Sequence, residues 1–346
     1  MTDGSGVALA TYGLAKHYGS RVALDGLDLR VPRGVVYGFL GPNGAGKTTT
    51  MRILTGLIRA DAGRVELLGQ PFARGHRQRL FDVGALIESP SFYPFLSGRE
   101  NLRSLAAAGA PVPARRIDEL LALVNLADRA GDKVSGYSLG MKQRLGIASA
   151  LLSDPALLLL DEPANGLDPA GIVGMRDTLR GLAAAGKTVL VSSHILSEVQ
   201  QLADVVGIIA RGRLVREGKI ETLLEEEGAV RVRVAADELP AAAGVLASMA
   251  GEGSVTRDDE IEAGWIVVRI DPGRSAELNR ALATAGIYAS RIEGGTTLES
   301  LFLELTGTHP DLGPGRGVPP GEPPVVWPSD PGRKTPVKPD TTGWSS

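Results

Sequence analysis

Val35-Val36-Tyr37-Gly38-Phe39-Leu40 runs without a break into Gly41-Pro42-Asn43-Gly44-Ala45-Gly46-Lys47-Thr48. The apolar run reads as a strand buried on both faces. The residues after it fit the spacing G-x-x-x-x-G-K-[ST], and the stretch Thr49 to Leu57 beyond them reads as a helix. Strand, glycine loop and helix in this order make a cradle for phosphate. Glycines let the backbone curl so that successive amides point at one anion, and the helix start adds its positive end. Gly41, Pro42, Asn43, Gly44, Ala45, Gly46 and Thr49 are therefore expected around a nucleoside triphosphate, with Lys47 reaching its β- and γ-phosphates and Thr48 holding Mg²⁺.

Further along, Leu157-Leu158-Leu159-Leu160 is a second buried strand and ends in two adjacent carboxylates, Asp161 and Glu162. Alone, an apolar run ending in two acids is as well explained by a strand with a solvated edge. Beside a phosphate loop, Asp161 suits the Mg²⁺ shell through water, and Glu162 suits a general base that polarises the attacking water. A third buried strand is expected over Thr188 to Ser192. Short β-rich runs alternate with helical stretches from Val7 to about Gly218, which predicts an α/β fold with helices covering a sheet and ligands at the polar strand ends. The segment Ser91 to Ser153 between the first two strands is mostly helical; Ser97 and Glu100 form a capping box opening a helix over Arg99 to Ala108. Ser138 is placed to cap a helix over Met141 to Leu152, turning its N-terminus toward an anion.

Composition narrows the partners. Across 346 residues the formal net charge is −3 and the pI about 5.9, so no basic field exists to hold a nucleic-acid backbone. Cysteine is absent, which removes disulfides and thiolate chemistry, and the four histidines are scattered. Met1 to Gly6 has neither a basic nor an apolar leader region. The longest apolar runs, Ala156 to Leu160 and Val205 to Ala210, fall far short of the roughly 20 residues a spanning helix needs. The chain is expected to stay inside the cell and to reach a membrane only through a partner.

A second, smaller α/β unit is expected over 229–307, with strands at Val230 to Val234 and Trp265 to Ile270 and helices at Leu239 to Met249 and Ser275 to Ala285. Its ending, Leu298-Glu299-Ser300-Leu301-Phe302-Leu303-Glu304-Leu305, has the spacing of an amphipathic helix, expected to pack on the unit's own sheet. From Thr308 the composition changes: ten of the 22 prolines lie between Pro310 and Pro339, so 308–346 reads as a disordered tail.

With these motifs in order, the stretch Val7 to about Gly218 resembles one family, the ATP-binding-cassette ATPases. The distinguishing element is Tyr137-Ser138-Leu139-Gly140-Met141-Lys142-Gln143-Arg144, which is similar to the family signature LSGGQ, with Leu139 in place of a glycine and Met141 in place of the glutamine. By resemblance, Ser138 and Gly140 contact γ-phosphate. Asn165-Gly166-Leu167-Asp168 is similar to the D-loop, which brings Asp168 to the nucleotide at the dimer interface. His194 falls at the switch histidine and Tyr18 at the aromatic that stacks on adenine; in isolation either would read as an ordinary surface or packing residue. Glu88 stands where the family carries a glutamine touching Mg²⁺ and water, and this departure, with Ile-Glu-Ser-Pro and Asn-Gly-Leu-Asp-Pro, resembles the bacitracin-resistance and lantibiotic-immunity exporters. There Glu88 would bind the metal as an anionic ligand.

The resemblance implies a core with a phosphate loop, an antiparallel β-subdomain and a helical signature subdomain at about 91–153, together spanning 7–225, with the accessory α/β domain appended. It further implies ATP and Mg²⁺ as ligands, hydrolysis in a head-to-tail dimer, a second ATP-binding subunit that is most simply a second copy of this chain, and an integral-membrane permease that holds the protein on the inner face of the cell membrane. The alternatives are a soluble ABC ATPase acting in translation or repair, and a nucleotide-dependent regulatory module. The first usually fuses two cassettes or carries zinc or basic inserts, and the second would lack the lysine or the base; neither departure occurs here.

Overall fold

Successive buried side chains of the strands Val36–Leu40, Leu157–Asp161, Thr188–Ser193 and Val205–Ala210 point to opposite faces of one sheet and feed two cores, one on each face. In the computed structural model, which describes residues 6–72, 77–88, 90–109, 112–226, 228–251, 253–257, 264–294 and 298–306, the chain runs β1 (Val7–Tyr18), β2 (Arg21–Pro32), β3 (Val36–Leu40), α1 (Lys47–Leu54), β4 (Ala62–Leu67), β5 (Gln70–Phe72) and β6 (Val83–Leu86). Helices α2 (Gly98–Ala108), α3 (Ala114–Leu123) and α4 (Leu139–Ala150) follow, then β7 (Leu157–Asp161), α5 (Pro169–Ala184), β8 (Thr188–Ser193), α6 (Leu196–Leu202), β9 (Val205–Ala210), β10 (Arg213–Lys219) and α7 (Ile220–Glu226). The central sheet has the order β10-β9-β3-β8-β7-β6, parallel except for β10.

On one face, Tyr37, Phe39, Leu157, Leu159, Leu190 and Ile209 pack with α1 and with the antiparallel sheet β2-β1-β4-β5. On the other, Leu40, Leu158, Leu160, Val191 and Ile208 pack with α4, α5, α6 and the helical segment. Because both faces are covered, these strands read as continuous apolar runs with no polar alternation. The helical segment leaves and re-enters the sheet between β6 and β7, as expected, and α2 opens with the capping box. The Ser97 hydroxyl accepts the Glu100 N–H at 3.2 Å while a Glu100 carboxylate oxygen accepts the Ser97 N–H at 2.8 Å. Ser97→Ala is expected to lower stability by about 1 kcal/mol, read as a shift of the chemical-denaturation midpoint.

A third sheet follows. The strands β11 (Ala229–Arg233), β12 (Val255–Arg257), β13 (Trp265–Arg269) and β14 (Arg291–Gly294) pair antiparallel in the order β12-β13-β11-β14, with α8 (Leu239–Ala250) after β11 and α9 (Ser275–Thr284) after β13. This is a split β-α-β unit with both helices on one face, where Leu246, Leu278 and Leu282 meet Val230, Val232, Ile266 and Val268. The strands β12 and β14 were not legible in the sequence, being three and four residues long.

One expectation is corrected. The last helix, α10 (Leu298–Thr306), does not pack on this sheet. Its Leu298, Leu301 and Phe302 lie in the core that contains α6 and α7, with Leu196, Val199, Leu202, Ile220 and Leu223. Its amphipathic stripe required an apolar partner and could not specify which one. The tail expected as disordered at 308–346 lies outside the described residues.

Candidate functional site

Strand register brings the expected motifs to one edge. Asp161 on β7 pairs with Ser192 on β8, and Phe39 and Leu40 on β3 pair with Ser192 and Ser193, so the three strands end level. The loop 41–46, Glu162 and His194 leave from these ends, outside the carboxyl edge of a parallel sheet where ligands bind. Gly46 caps α1 at φ 116°, and a Cβ there would stand 2.7 Å from the Ala23 carbonyl oxygen, so no larger residue fits. With glycine at that position, the first amides of α1 stay open toward the loop.

Lys47 is 6% exposed, and its ammonium donates to the Gly41 carbonyl at 2.6 Å and lies 3.4 Å from a Glu162 carboxylate oxygen. Burial pushes its pKa down, opposed by the negative charges of Glu162 and Asp161. The charged lysine is thus incompletely compensated, and a polyphosphate would supply the missing anions. The Thr48 hydroxyl donates to one Asp161 oxygen at 2.8 Å, and the Ser192 hydroxyl donates to the other at 2.5 Å while accepting the Glu162 N–H at 3.0 Å. Glu162 itself sits at φ 49°, a left-handed backbone that costs a non-glycine residue about 1–2 kcal/mol. The turn aims its side chain back at the loop, with one oxygen near Lys47 and the other 2.8 Å from His194 Nδ1. Behind them on α6, burial pushes the Glu198 carboxyl up, with His194 opposing and Glu162 reinforcing the shift.

These groups line a cavity of about 430 Å³. Of the loop, Pro42, Asn43, Gly44 and Gly46 reach it, followed by Lys47, Thr48 and Thr49, and Glu162 and His194 face them. Tyr18 stands at the mouth, 46% exposed, with the Lys16 ammonium 5.5 Å from its ring centre. Gly41 and Ala45 shape the loop from behind: Gly41 through its carbonyl on Lys47, Ala45 as a buried residue. Sequence reasoning missed Arg21 and Arg52, which also line the cavity, as does Asn165 of the D-loop motif. Arg21 sits just past the turn after Tyr18, and Arg52 one helical turn beyond Thr48, a periodicity that could have found it.

Other expected residues lie elsewhere. Glu88, expected at the metal, has a positive φ of 64°, and its half-exposed carboxylate is ion-paired with Arg52 and not gathered with Thr48 and Asp161. The neighbouring Arg52 guanidinium gives the carboxylate a charge-assisted hydrogen bond where it stands. Ser138 caps α4, accepting the Met141 N–H at 3.2 Å, but neither it nor Gly140 lines the cavity; Leu139 and Gly140 pack on Gly166 and Leu167 instead. Asp168 caps α5 through the Gly171 N–H at 3.0 Å and borders a separate cleft between α4 and α5. Among the described residues no helix is long and apolar enough to cross a membrane.

Comparison with known proteins agrees with this geometry. Residues 24–165 match the family model described as ABC transporter. The chain is 40% identical over 301 residues to the bacitracin transport ATP-binding protein of Bacillus licheniformis, covering 86% of this chain and 97% of that one. It is 39% identical to a daunorubicin resistance ATP-binding protein of Streptomyces coeruleorubidus, covering 87% of this chain and 96% of the relative. Among solved structures, the ATP-binding subunit of an ABC transporter superposes with a TM-score of 0.57 at 30% identity, over 62% of this chain and 91% of that one. The resemblance drawn from Lys47, Ser138, Glu162 and Glu88 therefore holds, subgroup included. With a nucleotide cradle at the sheet edge and near-full-length likeness to such subunits, the chain belongs to the ABC transporter ATP-binding proteins and is an ATP hydrolase.

Proposed function

We propose that this protein is the ATP-hydrolysing motor of an exporter that carries an antibiotic, peptide or other amphiphile through a separate membrane permease. The observation that carries the reading is the extent of the likeness to the bacitracin transport subunit: 301 aligned residues reach well past 7–225 into the C-terminal unit, which ATP hydrolysis alone does not require. On this proposal the chain has a nucleotide-binding unit over 7–225 and an accessory unit over 229–307, whose last helix α10 packs on the former.

In this reading the loop amides and Lys47 grip the β- and γ-phosphates, and Tyr18 stacks on the adenine. Thr48 and Asp161 offer two hard oxygen donors side by side, and no cluster of three or more metal-ligating His, Cys, Asp or Glu occurs among the described residues. That donor set suits Mg²⁺, which keeps several waters and takes one or two side chains together with phosphate. Bound there, Mg²⁺ would neutralise phosphate charge during hydrolysis. Glu162 takes the proton of the attacking water, and His194, hydrogen-bonded to it, holds it in place and faces the γ-phosphate. Ser138 and Gly140 lie outside their own cavity, which supports a head-to-tail dimer in which each signature seals the cavity of the other copy. Asp168 then lies at the seam. Glu88 and Arg52, at the rim beside the helical segment, form the contact through which closure reaches the permease. Attachment through the permease would place the protein on the inner face of the membrane.

Affinity purification of the full chain from detergent-solubilised membranes of its host tests this. A multi-span protein in stoichiometric amount, with ATPase activity that rises on adding amphiphile, is the expected result; recovery with ribosomes or DNA in place of a multi-span protein would support the translation or repair alternative.

A further inference from the structure

The helix α6 is too short to hold itself. It has seven residues, no side-chain cap on its Ile195 N-cap, and a first-turn bond from the Val199 N–H to the Ile195 carbonyl of 3.4 Å. Isolated helices of this length are not stable in water, so its position is set by what packs against it. It also begins two residues after His194, whose Nδ1 lies 2.8 Å from Glu162. Any looseness in α6 is therefore felt at the hydrolysis site.

On its inner side α6 is pressed against the central sheet: Val199 Cγ1 stands 2.3 Å from where a Cβ on Gly38 would be, contact that only glycine permits. Its other flank is covered by α10. Leu298, Leu301 and Phe302, at 0%, 1% and 0% exposure, join Leu196, Val199 and Leu202 in one apolar cluster. In addition, the Leu298 N–H donates to the Gln200 side-chain oxygen at 3.2 Å, so a residue of α6 caps the first turn of α10. The connection from Gly294 at the end of β14 to Leu298 spans only a few residues, which ties this contact to the C-terminal sheet.

We propose that α10 is a strap that positions His194, with Phe302 and Gln200 as positioning residues, so that the C-terminal unit sets the rate of hydrolysis through α6. The inference rests on the role given to His194 above. The strap acts on the aim of a side chain and not on the phosphate cradle, so its loss lowers kcat and leaves the KM for ATP in place. Phe302→Leu keeps an apolar side chain of similar reach and restores turnover.

A double-mutant cycle on the full-length protein tests it, with ATP turnover measured at saturating Mg²⁺-ATP well below the melting temperature of each variant. Phe302→Ala is expected to lower kcat about five- to tenfold with KM changed less than twofold, and to lower it no further in a His194→Ala background. Gln200→Ala, which removes a single hydrogen bond and leaves the core intact, is expected to lower kcat in the same direction by about twofold. Equal losses from Phe302→Ala in both backgrounds, or a lowered melting temperature with kcat unchanged in both Phe302→Ala and Gln200→Ala, overturn the strap. Full turnover in His194→Ala alone would instead remove the role of His194, and the strap with it.

Discussion

Glu162→Gln loses ATP turnover by about a hundred- to ten-thousandfold, the range removed with a general base, while still binding Mg²⁺-ATP. Glutamine keeps the shape of the side chain and can hydrogen-bond to both Lys47 and His194, but it cannot accept the proton of water. The left-handed backbone at φ 49° that aims position 162 at the cavity is unchanged by the substitution, so the cradle is preserved. With hydrolysis blocked, the proposed head-to-tail arrangement, in which the other copy's Ser138 seals each cavity, predicts that the variant accumulates as an ATP-bound dimer. Phosphate release and size-exclusion chromatography with and without ATP read both consequences. Turnover at the rate of the parent protein would assign the base to another residue, and a monomer under saturating ATP would remove the shared-site arrangement.

Lys47→Ala acts earlier, on binding. In the parent protein the buried ammonium is held by the Gly41 carbonyl and the Glu162 carboxylate at a cost in hydration that depresses its pKa. A triphosphate brings negative charge to the same place and reverses that depression, so the lysine gains most from the ligand when the ligand is most highly charged. Removing it leaves Glu162 facing the phosphates without a cation between them. Breaking a buried charge contact of this kind costs about 3 kcal/mol, which corresponds to about a hundredfold in Kd. Isothermal titration with Mg²⁺-ATP measures it, and a Kd within threefold of the parent value would show that the loop amides alone hold the nucleotide.

The site was legible because its parts are local. A buried strand, a glycine loop and a helix start occupy adjacent residues, and Leu157 to Glu162 carries strand and carboxylates in one run, so covalent order places these groups before any packing is known. Capping was readable for the same reason: Ser97 with Glu100 and Ser138 with Met141 are three residues apart. Arg21 and Glu88 were different. Arg21 has no motif of its own and enters the cavity through a turn, and Glu88 occupied a recognised position yet turned to Arg52, a choice made by distances between segments 36 residues apart.

By itself the sequence determined the α/β class, the phosphate cradle with Lys47, the two carboxylates Asp161 and Glu162, and the family. Only the tertiary structure decided that β3, β7 and β8 end level, that Ser138 lies outside its own cavity, and that α10 crosses to α6 and leaves its own sheet. The physical reason is that hydrophobic burial is non-directional: an apolar stripe such as Leu298, Leu301 and Phe302 states that a face must be covered, and which surface covers it follows from where the whole chain places the competing ones.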